Sequence, residues 1–269
     1  MPWSYASLDD YKDRLAIVTS PTDAIIRMGL EDAARQIDEW CWRTFRTYLA
    51  TRYYTASRGG YLDVDDLLAI TTLKHDDDSD RVYETTWAAT DYDLLPFNAA
   101  IDEQPYTRLA IAPNGVYSFY TGQKGIEIAG RWGYWQNLLA IGTLGAAMTD
   151  TTGTSVTMAS GHGLKALQTI LIDTEQLYIT AVATNTLTVE RGVNGTTAAT
   201  HLNAAAVSKY RYHTSVVEAA ILQAARGLGR AASPFGVVGT SEFGTTFVRA
   251  KLDPDVITHL APLRRIQVG

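Results

Sequence analysis

Asp76, Asp77, Asp78 and Asp80 fall within five residues, interrupted only by Ser79. Clustered carboxylates are what a hard cation such as Ca2+ takes as ligands. A calcium loop of the helix–loop–helix type, counted from Asp76, needs Gly at its sixth position and Glu at its twelfth. Arg81 and Trp87 stand there instead, so the favoured reading is a solvated turn between two strands. His75, His162, His201, His213 and His259 are scattered, none in an HExxH spacing. The lone Cys41 cannot build a thiolate zinc site. Gly239-Thr240-Ser241-Glu242-Phe243-Gly244 sets a serine between glycines, but the nucleophile-elbow spacing is off by one residue and no strand leads into it. There is no G-x-x-x-x-G-K-[ST] phosphate loop, and Gly122-Gln123-Lys124-Gly125 reads as a strand-joining turn. The expectation is a protein with no catalytic residues, no cofactor and no metal. Trp40, Trp42, Trp132 and Trp135 have the chemistry of a sugar-stacking platform, with core packing the default for each. Trp40 and Trp42 fall on different faces of one helix, which predicts one core residue and one interface anchor.

The elements that position these residues are legible as periodicities. Ser7 and Asp10 form a capping box opening a helix over 8–17. Ser20, Pro21 and Asp23 open a second helix, predicted from Pro21 to about Phe45, with an apolar stripe at Ile26, Leu30, Ala33, Ile37, Trp40 and Phe45. From Thr51 to Tyr134 the chain is rich in Tyr, Thr, Val and Ile. Strands are expected at 68–73, 81–86, 108–111, 116–121 and 125–130, with Asn114-Gly115 as a hairpin turn. From Gly142 to Ser208, Thr, Ala and Gly dominate. Strands at 154–159, 169–172, 176–182, 186–190 and 206–210 suggest a small barrel or sandwich. Helix returns at Thr214 with a Ser215/Glu218 capping box, the Gly-rich 233–246 reads as loop, and Asp253-Pro254 opens a last short helix.

The fold class expected is therefore α+β. Residues 1–50 and 211–269 would form a small helical bundle, 51–141 a β-rich extension, and 142–210 an inserted β module. Short terminal helices are marginal alone, so the two ends must pack together.

Composition narrows the function. The chain has 269 residues and 46% hydrophobic against 19% charged ones, enough to build a core. Net charge is −6 and the only close basic pair is Arg264-Arg265, which argues against general nucleic-acid binding. One cysteine permits no intramolecular disulfide and fits assembly in a reducing compartment. The first residues lack the plan of a signal peptide, and no stretch is apolar enough to span a bilayer, so no membrane partner is expected.

The stretch Ala33-Ala34-Arg35-Gln36-Ile37-Asp38-Glu39-Trp40-Cys41-Trp42-Arg43-Thr44-Phe45 resembles the head-to-tail adaptor (head-completion connector) proteins of long-tailed bacteriophages. So does Gly130-Arg131-Trp132-Gly133-Tyr134, followed after the insert by Tyr212 to Leu228. The resemblance covers mainly 5–135 and 210–265. The segment 190–201, Glu190 to His201, looks like a turn-containing piece common in phage structural proteins, and the insert between Tyr134 and Tyr212 departs from the family's minimal helical pattern. The resemblance implies a non-catalytic, dodecameric ring in the virion neck, assembled in the host bacterial cytoplasm. Its partners would be the portal protein, copies of itself and a tail-side neck or stopper protein, with genomic DNA passing through unbound. On that reading Leu260, Leu263, Arg264, Arg265 and Ile266 would meet the portal, Trp42 and Arg43 would lie at the ring interface, and the acidic 76–80 loop would suit a tunnel wall. The alternative is a tail or baseplate module whose β insert contacts a host glycan or another virion protein. A hydrolase ranks last, for want of a nucleophile and base.

Overall fold

A computed structural model describes residues 3–17, 23–57, 59–231, 237–241, 244–247 and 252–265. The protein is α+β, and its contacts divide it into two compact units, residues 1–42 with 137–269, and residues 43–136.

In the first unit, helix α1 (Leu8–Arg14) is capped by Ser7, whose Oγ accepts from the Asp10 N–H at 3.0 Å. The Asp10 carboxylate reaches back to the Ser7 N–H, the reciprocal half of the expected box, and also holds Lys165 Nζ at 2.8 Å. Helix α2 (Asp23–Cys41) buries Ile26, Leu30, Ala33, Ala34, Ile37 and Cys41, the predicted stripe with the phase of a 3.6-residue period. It stops four residues short of Phe45, because Trp42 turns to φ 54°, the left-handed region that ends helices. Its predicted cap at Ser20 and Pro21 lies outside the described residues. Helix α3 (Thr214–Ala231) packs on α2 through Val216, Ala219, Ala220 and Ala224. Its first turn is closed not by Ser215 but by His213, whose Nδ1 accepts from the Ser215 N–H at 3.2 Å. Helix α4 (Pro254–Leu260) starts at the predicted Asp253 cap and runs into a 3-10 turn, Ala261–Leu263. Among the described residues, no helix is long and apolar enough to cross a membrane.

The same unit contains a six-stranded antiparallel sheet. Its strands are β7 (Asn137–Thr143), β8 (Ser155–Thr157), β9 (Thr169–Ile172), β10 (Glu175–Ala183), β11 (Thr186–Glu190) and β12 (Ala206–Arg211), in the order β7-β12-β9-β10-β11-β8. Five of these match the predicted strands. The sixth, β7, straddles the boundary that the sequence predicts between extension and insert. A bridge between Leu144 and Met158 joins the two outer strands, with Gly145 N–H on Thr157 O at 2.8 Å and Ala159 N–H on Thr143 O at 3.0 Å. The sheet thus closes into a barrel, which removes the free edges that invite aggregation. Gly145 is required at the seam, since a Cβ there would sit 2.7 Å from the Met158 carbonyl oxygen. Leu144, Val156, Ile170, Ile172, Leu177, Ile179 and Leu187 fill the interior.

The second unit is built on six strands, β1 (Tyr48–Tyr54), β2 (Tyr61–His75), β3 (Thr85–Thr86), β4 (Tyr92–Leu95), β5 (Tyr106–Ile111) and β6 (Ile126–Trp132), ordered β1-β6-β2-β5-β4 with β3 on β2. Strand β2 changes partners along its length, pairing β5 over its first half and β6 over its second, through three register shifts. Segment 116–121, predicted as a strand, makes no ladder, though Phe119 still lies in the core, stacked on Trp87 at 5.0 Å. The Gly-rich 233–246, predicted as loop, contains a two-stranded ladder, β13 (Val237–Ser241) with β14 (Gly244–Phe247).

Burial sets the stability test. Leu30→Ala, at a position 0% exposed, is expected to cost about 2–5 kcal/mol. Met28→Ala, two residues away on the opposite face and 69% exposed, should cost under about 0.5 kcal/mol. Urea unfolding of both variants reads the difference, and equal losses would contradict the packing of α2.

Candidate protein-interaction surfaces

The C-terminal segment lies along the end of α2. Arg226 pairs with the Asp253 carboxylate, the Arg265 N–H donates to the Cys41 carbonyl at 2.9 Å, and the Arg264 guanidinium sits 4.9 Å from the Trp40 ring centroid. Two of the predicted portal anchors are corrected by this packing. Leu260 and Leu263 are 0% and 7% exposed and fill the helical bundle, so they hold the segment to its own chain. Ile266 lies outside the described residues. Arg264 is exposed and Arg265 half-buried, which leaves them at the surface beside Trp40 and Trp42.

Trp42 is 54% exposed, in a backbone conformation that a bulky L-residue adopts at a cost. Glycine is the usual residue for such a helix end. The Trp42 ring is thus at the surface of the first unit. Arg43 does not fit its expected role. Its Nε lies 3.2 Å from Asp66 Oδ2, and its guanidinium packs 4.8 Å from the Tyr134 ring, with both charged side chains nearly buried. Arg43 is thus a structural group of the second unit. Trp132 is likewise core, its Nε1 donating to the Ala50 carbonyl at 2.8 Å, so it takes no part in a sugar platform.

The 76–80 loop joins β2 to β3, as the sequence predicts. Asp76, Asp78 and Asp80 offer carboxylate oxygens within 4.8 Å of one another. These oxygens are used by the loop itself. Asp76 accepts from the N–H groups of Asp78, Ser79 and Arg81 at 3.2, 2.7 and 2.8 Å. Burial raises the Asp76 carboxyl pKa, and these N–H donors outweigh it, holding the group below the usual carboxylate range. Such side-chain-to-backbone bonds are the ordinary chemistry of an Asp turn.

A polar cluster that sequence reading missed locks the barrel. Glu175 is fully buried at the start of β10 and accepts from Arg191 at 2.7 Å through both of its oxygens. It also accepts from the N–H groups of Gly192 and Ala199 at 3.0 Å each, and His201 Nε2 lies 2.9 Å from its Oε2. His201 Nδ1 is 2.7 Å from Asp173. The 190–201 stretch is therefore a loop clamped at both ends on one carboxylate. The signal available was Arg191, the single arginine between 142 and 210, set against an acidic residue at the head of an apolar strand. Between α2 and α3 lies a groove of about 650 Å³ that leaves Ile25 55% and Met28 69% exposed.

No protein-family model and no curated protein matches the chain. Among solved structures, a chain of "Neck of empty GTA particle computed with C6 symmetry" is similar over 98% of this chain and 92% of that chain, with a TM-score of 0.40 and 12% sequence identity.

The clamp makes a pH prediction. Burial raises the Glu175 carboxyl pKa, but Arg191, the two N–H donors and His201 outweigh that effect and hold it at about 2, against an ordinary 4.5. A depressed carboxylate pKa contributes stability above the unfolded value, lost as pH falls through the folded one. Glu175→Gln is expected to be less stable than wild type by about 3 kcal/mol above pH ~5, with the gap closing towards pH ~2. Urea unfolding across that range checks it, and a gap that stays constant would refute the clamp.

Proposed function

We propose that this chain is a non-catalytic structural adaptor that forms a ring joining a phage portal to the tail, in the virion neck, with genomic DNA passing through unbound. The observation that carries the reading is the surface at the end of α2. There Trp42 is exposed in a costly conformation, beside Trp40, Arg264 and Arg265. Tryptophan and arginine are the residue types that dominate binding energy at protein interfaces. The resemblance of 33–45 to head-completion connectors includes two of the residues at this surface, Trp40 and Trp42.

The non-catalytic reading is supported by how the buried charges are used. Glu175, Arg191 and His201 are saturated by one another and by backbone, which leaves them no free proton acceptor or donor to present to a substrate. The glycan-binding alternative loses its chemistry in the insert. Tyr178 and Tyr210 are the only Tyr, Trp or Phe between 142 and 210, and they are 0% and 7% exposed. A sugar has no aromatic face to stack on there.

Portal contact is assigned to Arg264 and Arg265 rather than to the buried leucines, and the self-contact in the ring to Trp42. The double variant Arg264→Glu/Arg265→Glu is expected to lower the joining of heads to tails in vitro at least about tenfold, with the circular dichroism spectrum and melting temperature close to wild type. Trp42→Ala should lower ring yield to a similar degree. Normal joining by the arginine variant would overturn the assignment.

A further inference from the structure

Strand β12 carries two cations that find no counter-charge among the described residues. Lys209 and Arg211 stand two residues apart, and among the described residues no ion pair involves either. Both line an open hollow of about 490 Å³, together with Tyr5, Tyr212 and Ser7. Asp10 also reaches the hollow, but its carboxylate is engaged by Lys165 at 2.8 Å. In a chain of net charge −6, an unpaired cation pair over a tyrosine-lined hollow is a local inversion of sign. It suits an anionic group that also offers surface to pack against rings.

We propose that this hollow receives the acidic 76–80 loop of a second copy of the chain. The argument is charge complementarity. Asp78 and Asp80 are exposed, and no described cation pairs with either. They are held outward on a turn fixed by Asp76, so the loop presents its charge without ordering a flexible segment. The contact joins unlike surfaces, a hollow on one copy and a loop on the next. Each added copy therefore offers a fresh loop and a fresh hollow, and such a head-to-tail contact closes into a ring when its rotation allows. The inference rests on the proposed ring and adds to its Trp42 contact a second, charged contact between neighbouring copies.

Sedimentation velocity of the full chain tests it. Wild-type association should weaken as salt rises from about 0.1 to about 1 M, because the screening length falls from about 10 to about 3 Å. Lys209→Glu/Arg211→Glu and Asp78→Lys/Asp80→Lys should each raise the dissociation constant at least about tenfold. Asp78→Asn/Asp80→Asn keeps the side-chain oxygens that accept the turn's N–H groups, at Asp80 and Val82, and removes only charge. It too should associate more weakly, which separates lost attraction from a damaged loop. Mixing the glutamate and lysine variants should restore mixed assemblies, since each reversed hollow then meets a reversed loop. Failure of the mixture to recover would place the ion pairs within one chain and overturn the proposal. So would a glutamate variant that assembles normally but retains less duplex DNA, which would make the hollow a phosphate site. Rings that form regardless of these charges overturn this contact and leave the ring reading intact. A wild-type chain that never self-associates overturns both.

Discussion

Helix α2 cannot stand with its apolar stripe in water, and most of the first unit is arranged to cover it. A buried Leu or Ile contributes about 1.5–3 kcal/mol relative to exposure, and α2 alone buries three of them along one face. Helix α3, reached only after the whole insert, supplies the small residues Ala219, Ala220 and Ala224 that allow close approach. Helix α4 adds Val256 and Leu260. The barrel ties on by polar contacts as well. Tyr178 donates to Glu31 at 3.2 Å, Arg27 reaches the Thr180 carbonyl, and the Leu8 N–H donates to the Ala166 carbonyl at 3.3 Å. A chain of 269 residues thus closes on a contact between positions nearly two hundred residues apart, and the insert must fold as a compact body that leaves that contact possible.

That constraint accounts for the form of the insert. An open six-stranded sheet would expose two unpaired edges to pairing with other chains. Closure through Leu144 and Met158 satisfies those edges internally. The loop from 191 to 201 must then cross the end of the barrel, where its backbone N–H groups would be orphaned. Glu175 answers two of them and Arg191 together. A buried carboxylate left without these partners would cost several kcal/mol, so the clamp is cooperative, and loss of any one partner is felt by the rest.

Elements whose signal is local were legible in the sequence. The stripe of α2, the Asp253-Pro254 start of α4 and five barrel strands follow from spacing, capping chemistry and β-branched runs. Elements fixed by distant partners were not. Strand β7, Asn137–Thr143, has few β-branched residues and becomes a strand because β12 and the barrel seam need it. Segment 116–121 has strand composition, yet its aromatic side chains serve the core without a ladder partner. The early end of α2 is a single backbone turn at Trp42, which no periodicity encodes. The interface residues divide along the same line. Exposure at Trp42 was inferable from its lying on a different helix face from Trp40, whereas burial of Leu260, Leu263 and Arg43 depends on which surface folds over them. An amphipathic pattern shows that a residue is covered, and only the fold shows whether the cover is the same chain.

The surface that remains is consistent with a protein built to be a neighbour. Most buried charges are spent inside their own unit, on Glu175 with Arg191 and on Arg43 with Asp66. What is left outside carries both signs. Asp78 and Asp80 stand exposed on one turn of the second unit, and Lys209 and Arg211 stand along β12 in the first. Exposed charges contribute little stability individually, about 0–1 kcal/mol even when paired, so their unpaired placement is poorly explained as a folding device. It is well explained as a device for choosing partners, because complementary potentials set orientation and encounter rate more than they set raw affinity.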